Sequence, residues 1–115
     1  MIARIWRGTA SAAKADAYFH HFTTNVAPHL KDIPGHRGAY LLRGETGEDV
    51  EFLAITLWDS IETIKKFAGQ DPTAAIVEPE GRAALSAFDA RARHYEVAYS
   101  GVGASGEDGT AGRSR

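Results

Sequence analysis

The sequence lacks cysteine altogether, and this absence excludes several kinds of chemistry. A chain without thiols forms no disulfide, has no thiolate nucleophile, and builds neither a zinc finger nor a thiolate-held iron cluster. An excess of positive charge is also missing, because 13 basic and 15 acidic side chains give a net charge of -2. A nucleic-acid backbone calls for a basic surface, so we expect neither DNA nor RNA as a partner.

Long apolar runs are missing as well. No stretch approaches the roughly 20 residues that cross a bilayer, and the N-terminus lacks the charged and apolar regions of a signal peptide. We therefore expect no membrane partner and a cytoplasmic location. The 115 residues, 43% of them hydrophobic, are enough for one domain. We place it at residues 1–100, because 101–115 holds five of the twelve glycines and few apolar residues, which is typical of a disordered tail.

The most informative segment is the apolar run from Val50 to Trp58, which leads directly into a helical pattern. The two-residue period of a strand puts Val50, Phe52, Ala54, Thr56 and Trp58 on one face and Glu51, Leu53, Ile55 and Leu57 on the other. Both faces are mainly apolar. The pattern predicts a strand covered by helices on one side and, most economically, by a partner subunit on the other.

Turn residues separate four predicted strands, at about 1–7, 36–43, 50–58 and 91–99. A glycine-containing loop joins the second and third strands into an antiparallel hairpin. With one helix after the first strand and another after the third, the order is β-α-β-β-α-β. This order predicts an α+β fold of the ferredoxin-like type with a four-stranded antiparallel sheet. The sheet face that no helix covers would pack against a second copy, giving a homodimeric α+β barrel.

Capping residues and prolines set the predicted limits of the helices. Ser11 is predicted to cap the first helix, which ends near Ala27 because Pro28 follows. Asp59 is predicted to cap a second helix that ends at Gly69, and prolines then break residues 71–90 into short helical pieces. The inner face of the first helix is predicted to carry Ala15, Phe19, Phe22 and Val26.

Four segments carry a family resemblance: IARIW at 2–6, IPGHRGAYLLR at 33–43, FLAITLWDS at 52–60 and RHYEV at 93–97. Together they resemble the antibiotic biosynthesis monooxygenase family of the dimeric α+β barrel superfamily, over about residues 1–98. The resemblance implies the same fold and dimer. It leaves the reaction open, because the family includes cofactor-free oxygenases of polyketide quinols, haem-degrading enzymes, other quinol oxygenases and proteins with no known activity.

The haem-degrading branch of the family uses an Asn on the first strand, a Trp ending the third strand and a His after the second helix. The resemblance matches only the Trp, as Trp58, since Trp6 or Arg7 holds the first-strand position and no His lies between His36 and His94. We therefore predict a cofactor-independent oxygenase that takes a small aromatic or quinol substrate and O2. Haem binding or degradation is one alternative, and a dimer that only binds a small ligand is another.

Strand residues supply the first candidates for the site. Trp58 is a candidate catalytic residue, because its indole N–H could donate to a substrate oxygen while the ring stacks on an aromatic ligand. A purely structural Trp is the alternative. Arg4 and Trp6 share a strand face where the guanidinium could hold a phenolate or carboxylate, although a surface salt bridge is equally compatible. Phe52 and Thr56 share the face of Trp58 and are candidate substrate contacts.

The first helix supplies further candidates beside its apolar stripe. Tyr18, Asn25 and His29 lie along one flank, where Asn25 could act catalytically on a carbonyl and Tyr18 and His29 could bind substrate. Phe22 belongs to the stripe itself and could contact both core and ligand. Plain exposure to solvent is the alternative for the polar side chains.

The histidines do not form a predicted metal site. His20 and His21 are adjacent on a helix, so their rings point about 100° apart and do not converge on one ion. His94 lies on a strand face of mixed polarity. It is a candidate catalytic base, and a hydrogen-bonded network in the cleft or at the dimer seam is the alternative.

Overall fold

The computed structural model describes residues 1–101, which form strands, α-helices and one π-helical turn. In chain order these are β1 Ile2–Ser11, α1 Ala15–His21, the π-helical turn Phe22–Val26, α2 Ala27–Lys31, β2 His36–Thr46, β3 Asp49–Trp58, α3 Ile61–Ala68, α4 Pro79–Ala84, β4 Ala87–Phe88 and β5 Arg93–Glu96. Of the predicted tail, residues 102–115 lie outside the described part. No helix within residues 1–101 has both the length and the apolarity that a membrane crossing needs.

The strand pairs are antiparallel, and their order confirms the predicted ferredoxin-like α+β fold. β3 lies between β2 and β1, and the far edge of β1 pairs with β4 and β5. The ladder between the two central strands runs from Ile2 opposite Trp58 to Ser11 opposite Asp49. Its register decides which residues of these strands face the helices.

β3 has one covered face and one partly open face, as its alternation predicted. Val50, Phe52, Ala54, Thr56 and Trp58 are buried beneath the helices. The opposite face, here called the open face, carries Ala3, Ile5, Tyr40, Leu42, Leu53, Ile55, Leu57 and Tyr95, together with the charged residues Arg7, Glu51 and Arg93. Tyr40, Leu42 and Tyr95 are 50%, 46% and 49% exposed. A contiguous apolar face of this kind marks an interaction surface.

The first helix differs from the prediction at both ends. Ser11 is the last residue of β1 and not a helix cap, because the ladder with β3 continues as far as Asp49. α1 therefore begins at Ala15. Pro28 does not end the helical segment: the helical backbone continues from α1 through the π-helical turn into α2, and Pro28 is the second residue of α2.

α1 is also rotated relative to the predicted stripe. Tyr18 and His21 are only 4% and 6% exposed, whereas Phe19, predicted to face inward, is 49% exposed. Phe22 is buried as predicted. The Tyr18 ring packs on Phe52 of β3 with centroids 5.0 Å apart, and this contact turns Phe19 toward solvent. The helix consequently presents a phenol and an imidazole to the interior.

The junction between β3 and α3 uses a different cap from the predicted one. Ser60 is the N-cap: its hydroxyl accepts from the Thr63 N–H, and Thr63 Oγ1 accepts from the Ser60 N–H. Asp59 instead pairs with Arg37 through two hydrogen bonds of 2.6 and 3.0 Å. Gly69 ends α3 as predicted, with a φ of 90°.

The predicted last strand, at about 91–99, is present as the shorter β5, and the edge of β1 also pairs with β4, which lies where a helical piece was predicted. Between them the chain leaves the sheet, because the Ala75 N–H donates to the Ala90 carbonyl and the Ala92 N–H to the Thr73 carbonyl. This pairing holds the segment before α4 over the helical side of the sheet. Of the short helical pieces predicted in this region, the structure contains α4.

Gly35 should not tolerate a side chain. Its φ is 93°, and a Cβ there would lie 2.5 Å from the Cβ of Thr63, whereas a Cβ at Gly44 meets nothing within 4 Å. We expect Gly35→Ala to lower the free energy of unfolding by about 1–3 kcal/mol through backbone strain and overlap. Urea denaturation measures the change. Gly44→Ala is the matched control and should stay within about 0.5 kcal/mol of the wild type; equal losses for both variants would contradict this geometry.

Candidate active site

A narrow pocket lies between the helical side of the sheet and the helices, with a volume of about 50 Å³. Its wall is formed by residues of β1, β3, α1, the π-helical turn, α2, α3, the segment before α4 and α4 itself. These residues are Arg4, Trp6, Tyr18, His21, Phe22, Val26, Leu30, Ala54, Thr56, Phe67, Ile76, Val77, Glu78 and Gly81. The wall is mainly apolar, with a few convergent polar groups. This composition is typical of a small-molecule site.

Arg4 places a positive charge in the pocket wall. Its side chain is 6% exposed, and Nη2 donates to the Ala74 carbonyl at 2.6 Å and Nε to the Pro72 carbonyl at 3.4 Å. The guanidinium also lies over the Phe67 ring, 5.4 Å from its centroid. Burial lowers the pKa of Arg4 to about 10, so it is still charged at neutral pH. No carboxylate within residues 1–101 forms an ion pair with it.

Tyr18 contributes a phenol that is neutral at ordinary pH. It lies between Trp6 and Phe52, whose ring centroids are 6.3 and 5.0 Å from its own. Burial raises the pKa of Tyr18 to about 12, so the hydroxyl keeps its proton and can donate a hydrogen bond. The pKa of Tyr18 is thus raised and that of Arg4 lowered for the same reason: both groups have lost water, and this favours their neutral forms.

His21 lies where α1 meets the segment before α4. Its Nε2 is 3.5 Å from a carboxylate oxygen of Glu78, and its Nδ1 is 3.4 Å from a carboxylate oxygen of Glu80. The amide nitrogen of Asn25 is 3.1 Å from Nδ1 and donates to Glu80 at 2.9 Å. Gly81 leaves room for the ring, since a Cβ there would lie 3.3 Å from Nε2. The imidazole is therefore within reach of two carboxylates, one beside each ring nitrogen.

Trp6 offers the pocket its ring and not its N–H group. The indole Nε1 donates to the Asp89 carbonyl at 2.8 Å, so this donor is already used. The ring lies across Gly8, where a Cβ would come 2.8 Å from the far edge of the indole. Glycine at this position of β1 therefore gives the aromatic wall the space it occupies.

Trp58, predicted to be catalytic, lies behind the pocket and is not part of its wall. The side chain is fully buried, and Nε1 donates to Thr56 Oγ1 at 2.8 Å. Trp58 packs with Leu30 and Ile64 in a separate apolar cluster and against Phe67. A ligand would meet Thr56, whose hydroxyl Trp58 holds in place, so Trp58 is in the position of a positioning residue.

The other predicted residues divide between the pocket and its surroundings. Those that line the pocket are Arg4, Trp6, Tyr18, Phe22 and Thr56. Phe52 is completely buried beneath Tyr18 and does not reach the wall. Asn25 and His29 line an adjacent cavity of about 80 Å³, where the His29 ring packs against Phe67 with centroids 6.2 Å apart.

His94 stands beside Arg4 in the sheet, outside the pocket wall. β5 places it directly opposite Arg4 of β1. The pKa of His94 is lowered, first by burial and second by the positive charge of Arg4. Its Nε2 is buried without a hydrogen-bond partner among the described residues. The fold therefore does not bring this imidazole to the pocket.

The sequence-based prediction missed His21 and its two carboxylates. It considered His21 only together with the adjacent His20, as a pair that does not form a metal site, whereas the helix is turned so that His21 points inward. The three-residue spacing from Tyr18 was a usable signal, because residues three apart share a helix face. Glu78 approaches the ring from an irregular segment and Glu80 from the short α4, and no periodicity in the sequence predicts such a contact.

The fold and pocket define a class: an α+β domain of ferredoxin-like strand order with a small, mainly apolar site between sheet and helices. The sequence profile described as antibiotic biosynthesis monooxygenase matches residues 1–79. The chain belongs to this family, and membership supports a monooxygenase-like function at the level of the family. Among proteins with curated functions, none matches the sequence significantly.

Two solved structures illustrate the range of chemistry on this fold. A mutant of SnoaB, a cofactor-independent oxygenase from Streptomyces nogalater, has a TM-score of 0.64 at 18% identity, covering 86% of this chain and 94% of that chain. MhuD, a haem-degrading protein from Mycobacterium tuberculosis with two haems in its active site, has a TM-score of 0.57 at 20% identity, covering 87% and 98%. At these identities the likeness establishes the fold and does not extend to substrate or cofactor.

Replacing Arg4 should separate ligand recognition from stability. We expect Arg4→Met to lower the free energy of unfolding by less than about 1 kcal/mol, because relief from burying a charge offsets two lost hydrogen bonds. Thr56→Val, directly opposite in the β1–β3 ladder, strands the buried Trp58 N–H and should cost about 1–3 kcal/mol. Urea denaturation ranks the two variants. A larger loss for Arg4→Met would mean that the cation serves the fold and is not held for a ligand.

Proposed function

We propose that this chain is a cofactor-independent monooxygenase that oxidises a small aromatic or quinol substrate in the pocket. The observation that carries the proposal is a buried cation, Arg4, in the same small apolar pocket as an imidazole, His21, that lies between two carboxylates. Arg4 can bind a substrate anion, and His21 can accept the proton that the substrate releases when the anion forms. Cofactor-free oxygenation needs both functions.

His21 is the proposed base. When its Nδ1–H donates to Glu80, Nε2 carries the lone pair on the side of Glu78 and Gly81, which both line the pocket. A phenolic hydroxyl placed next to Nε2 gives up its proton, and the two glutamates stabilise the imidazolium. Asn25 supports the ring indirectly, because its amide donates to the same Glu80 carboxylate at 2.9 Å and so holds that carboxylate beside Nδ1. In this arrangement Asn25 is a positioning residue and not a direct contact of the substrate.

Arg4 is the proposed partner of the substrate anion. Burial has already removed water from the guanidinium, so its attraction to a phenolate is stronger than it would be at the surface. The Tyr18 hydroxyl, whose raised pKa keeps it protonated, is a second donor to the same oxygen or to a carbonyl. Trp6, Phe22 and Phe67 supply apolar surface for the aromatic ring.

The substrate itself supplies the electrons, so the reaction balances without a separate reductant. The phenolate passes an electron to O2, and the resulting radicals combine to form a bond between a ring carbon and oxygen. Breaking the O–O bond leaves a carbonyl oxygen on that carbon. The second oxygen leaves as water with two protons, one from the hydroxyl and one from the ring carbon, and the phenol becomes a quinone.

Haem suits this pocket less well. Both ring nitrogens of His21 face glutamates or Asn25, so axial ligation would break these contacts. A ligand-binding dimer without catalysis is the remaining alternative, and the test of the base distinguishes it.

His21→Gln should abolish most of the oxygenase activity. Loss of a general base lowers rates by about 10²–10⁴-fold, and we expect a fall of this size in oxygen uptake with a panel of hydroquinones and naphthols. His20→Gln is the matched control, since His20 is the adjacent residue on the same helix and is exposed. It should retain the wild-type rate.

Two results would overturn the proposal. One is oxygen uptake by wild-type protein that is no faster than in buffer across the whole panel, which would favour the binding-only alternative. The other is an equal effect of the His21 and His20 substitutions. Thermal unfolding of each variant shows that a lost activity is not simply a lost fold.

We also propose that two chains pair through their open faces. Support comes from the half-exposed Tyr40, Leu42 and Tyr95 on a face that continues the apolar row of β3, and from membership in a family that often dimerises. Pairing would cover this face and leave the pocket on the outer side of each sheet.

An aspartate in the open face should break the dimer. We expect wild-type protein to sediment at twice the 12.4 kDa chain mass and Leu42→Asp to shift to the monomer at micromolar concentration. Phe19→Asp is the matched control, because Phe19 is 49% exposed against 46% for Leu42 but lies on the helical side. A wild-type monomer, or a monomer produced equally by both substitutions, would contradict pairing through this face.

A further inference from the structure

A second cavity adjoins the pocket and shares much of its wall. It has a volume of about 80 Å³, and Val26, Phe67, Ile76 and Glu78 line both spaces. The remaining wall of the second cavity is formed by Asn25 and His29. The two spaces are therefore neighbours separated by side chains and not by backbone layers.

Each space is smaller than an apolar cavity that is known to hold an aromatic ring. An engineered cavity of about 150 Å³ binds benzene, which exceeds both the 50 Å³ of the pocket and the 80 Å³ of the cavity. Joined, the two approach the volume of that cavity. A ring that binds here must occupy both, so a shared side chain has to move aside.

The shared residues differ in how freely they can move. Val26 and Phe67 belong to helical elements and pack against the buried clusters. Ile76 is 46% exposed and lies in the irregular stretch between the paired residue Ala74 and the start of α4. Glu78 is also largely exposed. Displacing the Ile76 side chain therefore breaks little buried contact, and it removes one of the apolar side chains that separate the pocket from the cavity.

We propose that the pocket and the adjacent cavity form one binding site for a single-ring aromatic compound that carries an acidic hydroxyl, and that Ile76, after it shifts to admit one ring, still blocks a second fused ring. The hydroxyl lies between Arg4 and His21, and the ring extends past Ile76 toward His29. Larger fused rings are excluded while the isoleucine is present. The inference rests on the proposed function only in taking an aromatic hydroxyl compound as the ligand.

Binding without oxygen tests this limit separately from catalysis. Calorimetric titration under nitrogen with phenol, naphthol and hydroxyanthracene gives a series of one, two and three fused rings with the same acidic group. For wild-type protein we expect phenol to bind at least roughly tenfold more tightly than naphthol, and hydroxyanthracene not to bind. Ile76→Ala should bring naphthol to within about threefold of phenol, and Ile76→Val should fall between.

Val77→Ala is the matched control. Val77 precedes Glu78 in the same segment and lines the pocket, but it does not line the adjacent cavity, so its truncation enlarges one space without joining the two. We expect it to leave the preference for phenol over naphthol unchanged.

Three outcomes overturn the inference: no binding of any probe to wild-type protein, an unchanged preference in both Ile76 variants, or the same change in Val77→Ala. Oxygen uptake does not enter these measurements. A protein that binds phenol with the expected size limit but consumes no oxygen would retain this inference and lose the proposed reaction.

Discussion

The structure depends above all on the register of the antiparallel ladder between β1 and β3. Arg4 stands opposite Thr56 and Trp6 opposite Ala54, so the cation and the aromatic wall meet the strand that carries the hydroxyl. A slip of β1 by one residue would turn Arg4 and Trp6 to the open face and bring Ile5 to the helical side in their place. Both strands are apolar on each side, which makes the hydrophobic pattern alone a weak guide to register. Specific contacts therefore help to fix it: the Arg4 side chain binds two carbonyls on the helical side, and Trp6 fits over Gly8.

Much of this architecture could be predicted from the sequence because it is encoded locally. The alternation of β3, the hairpin and the helix stop at Gly69 are patterns of neighbouring residues, and the structure contains each of them. Expectations failed where a distant contact decides the local state. Ser11 can cap a helix, but pairing with Asp49 keeps it in a strand. Phe19 has the more apolar ring, yet Tyr18 takes the inner position because its ring packs on Phe52. The indole of Trp58 was expected to face a ligand, and its hydrogen bond to Thr56 holds it in the core.

The candidate site was harder to foresee than the fold, and the reason is electrostatic as well as geometric. An arginine near the N-terminus ordinarily lies at the surface with a carboxylate partner. Arg4 is buried against carbonyl oxygens and a phenyl ring. Burial lowers the pKa of Arg4 and raises the pKa of Tyr18. These opposite shifts indicate an environment poor in water, where a fixed charge acts strongly on a bound anion. A composition with balanced charges does not indicate that Arg4 forms no ion pair within residues 1–101.

The pocket and the open face lie on opposite sides of one sheet, and this separation assigns them different physical roles. Arg4 and Trp6 of β1 point to the pocket, while Ala3 and Ile5, which alternate with them along the strand, point to the open face. Apolar surface on the open face favours association. The proposed dimer therefore acts on the pocket through the stiffness of the shared strands, since a sheet covered on both faces holds its register better than one exposed to water. Pairing would make the geometry around Arg4 more uniform without adding a residue to the site.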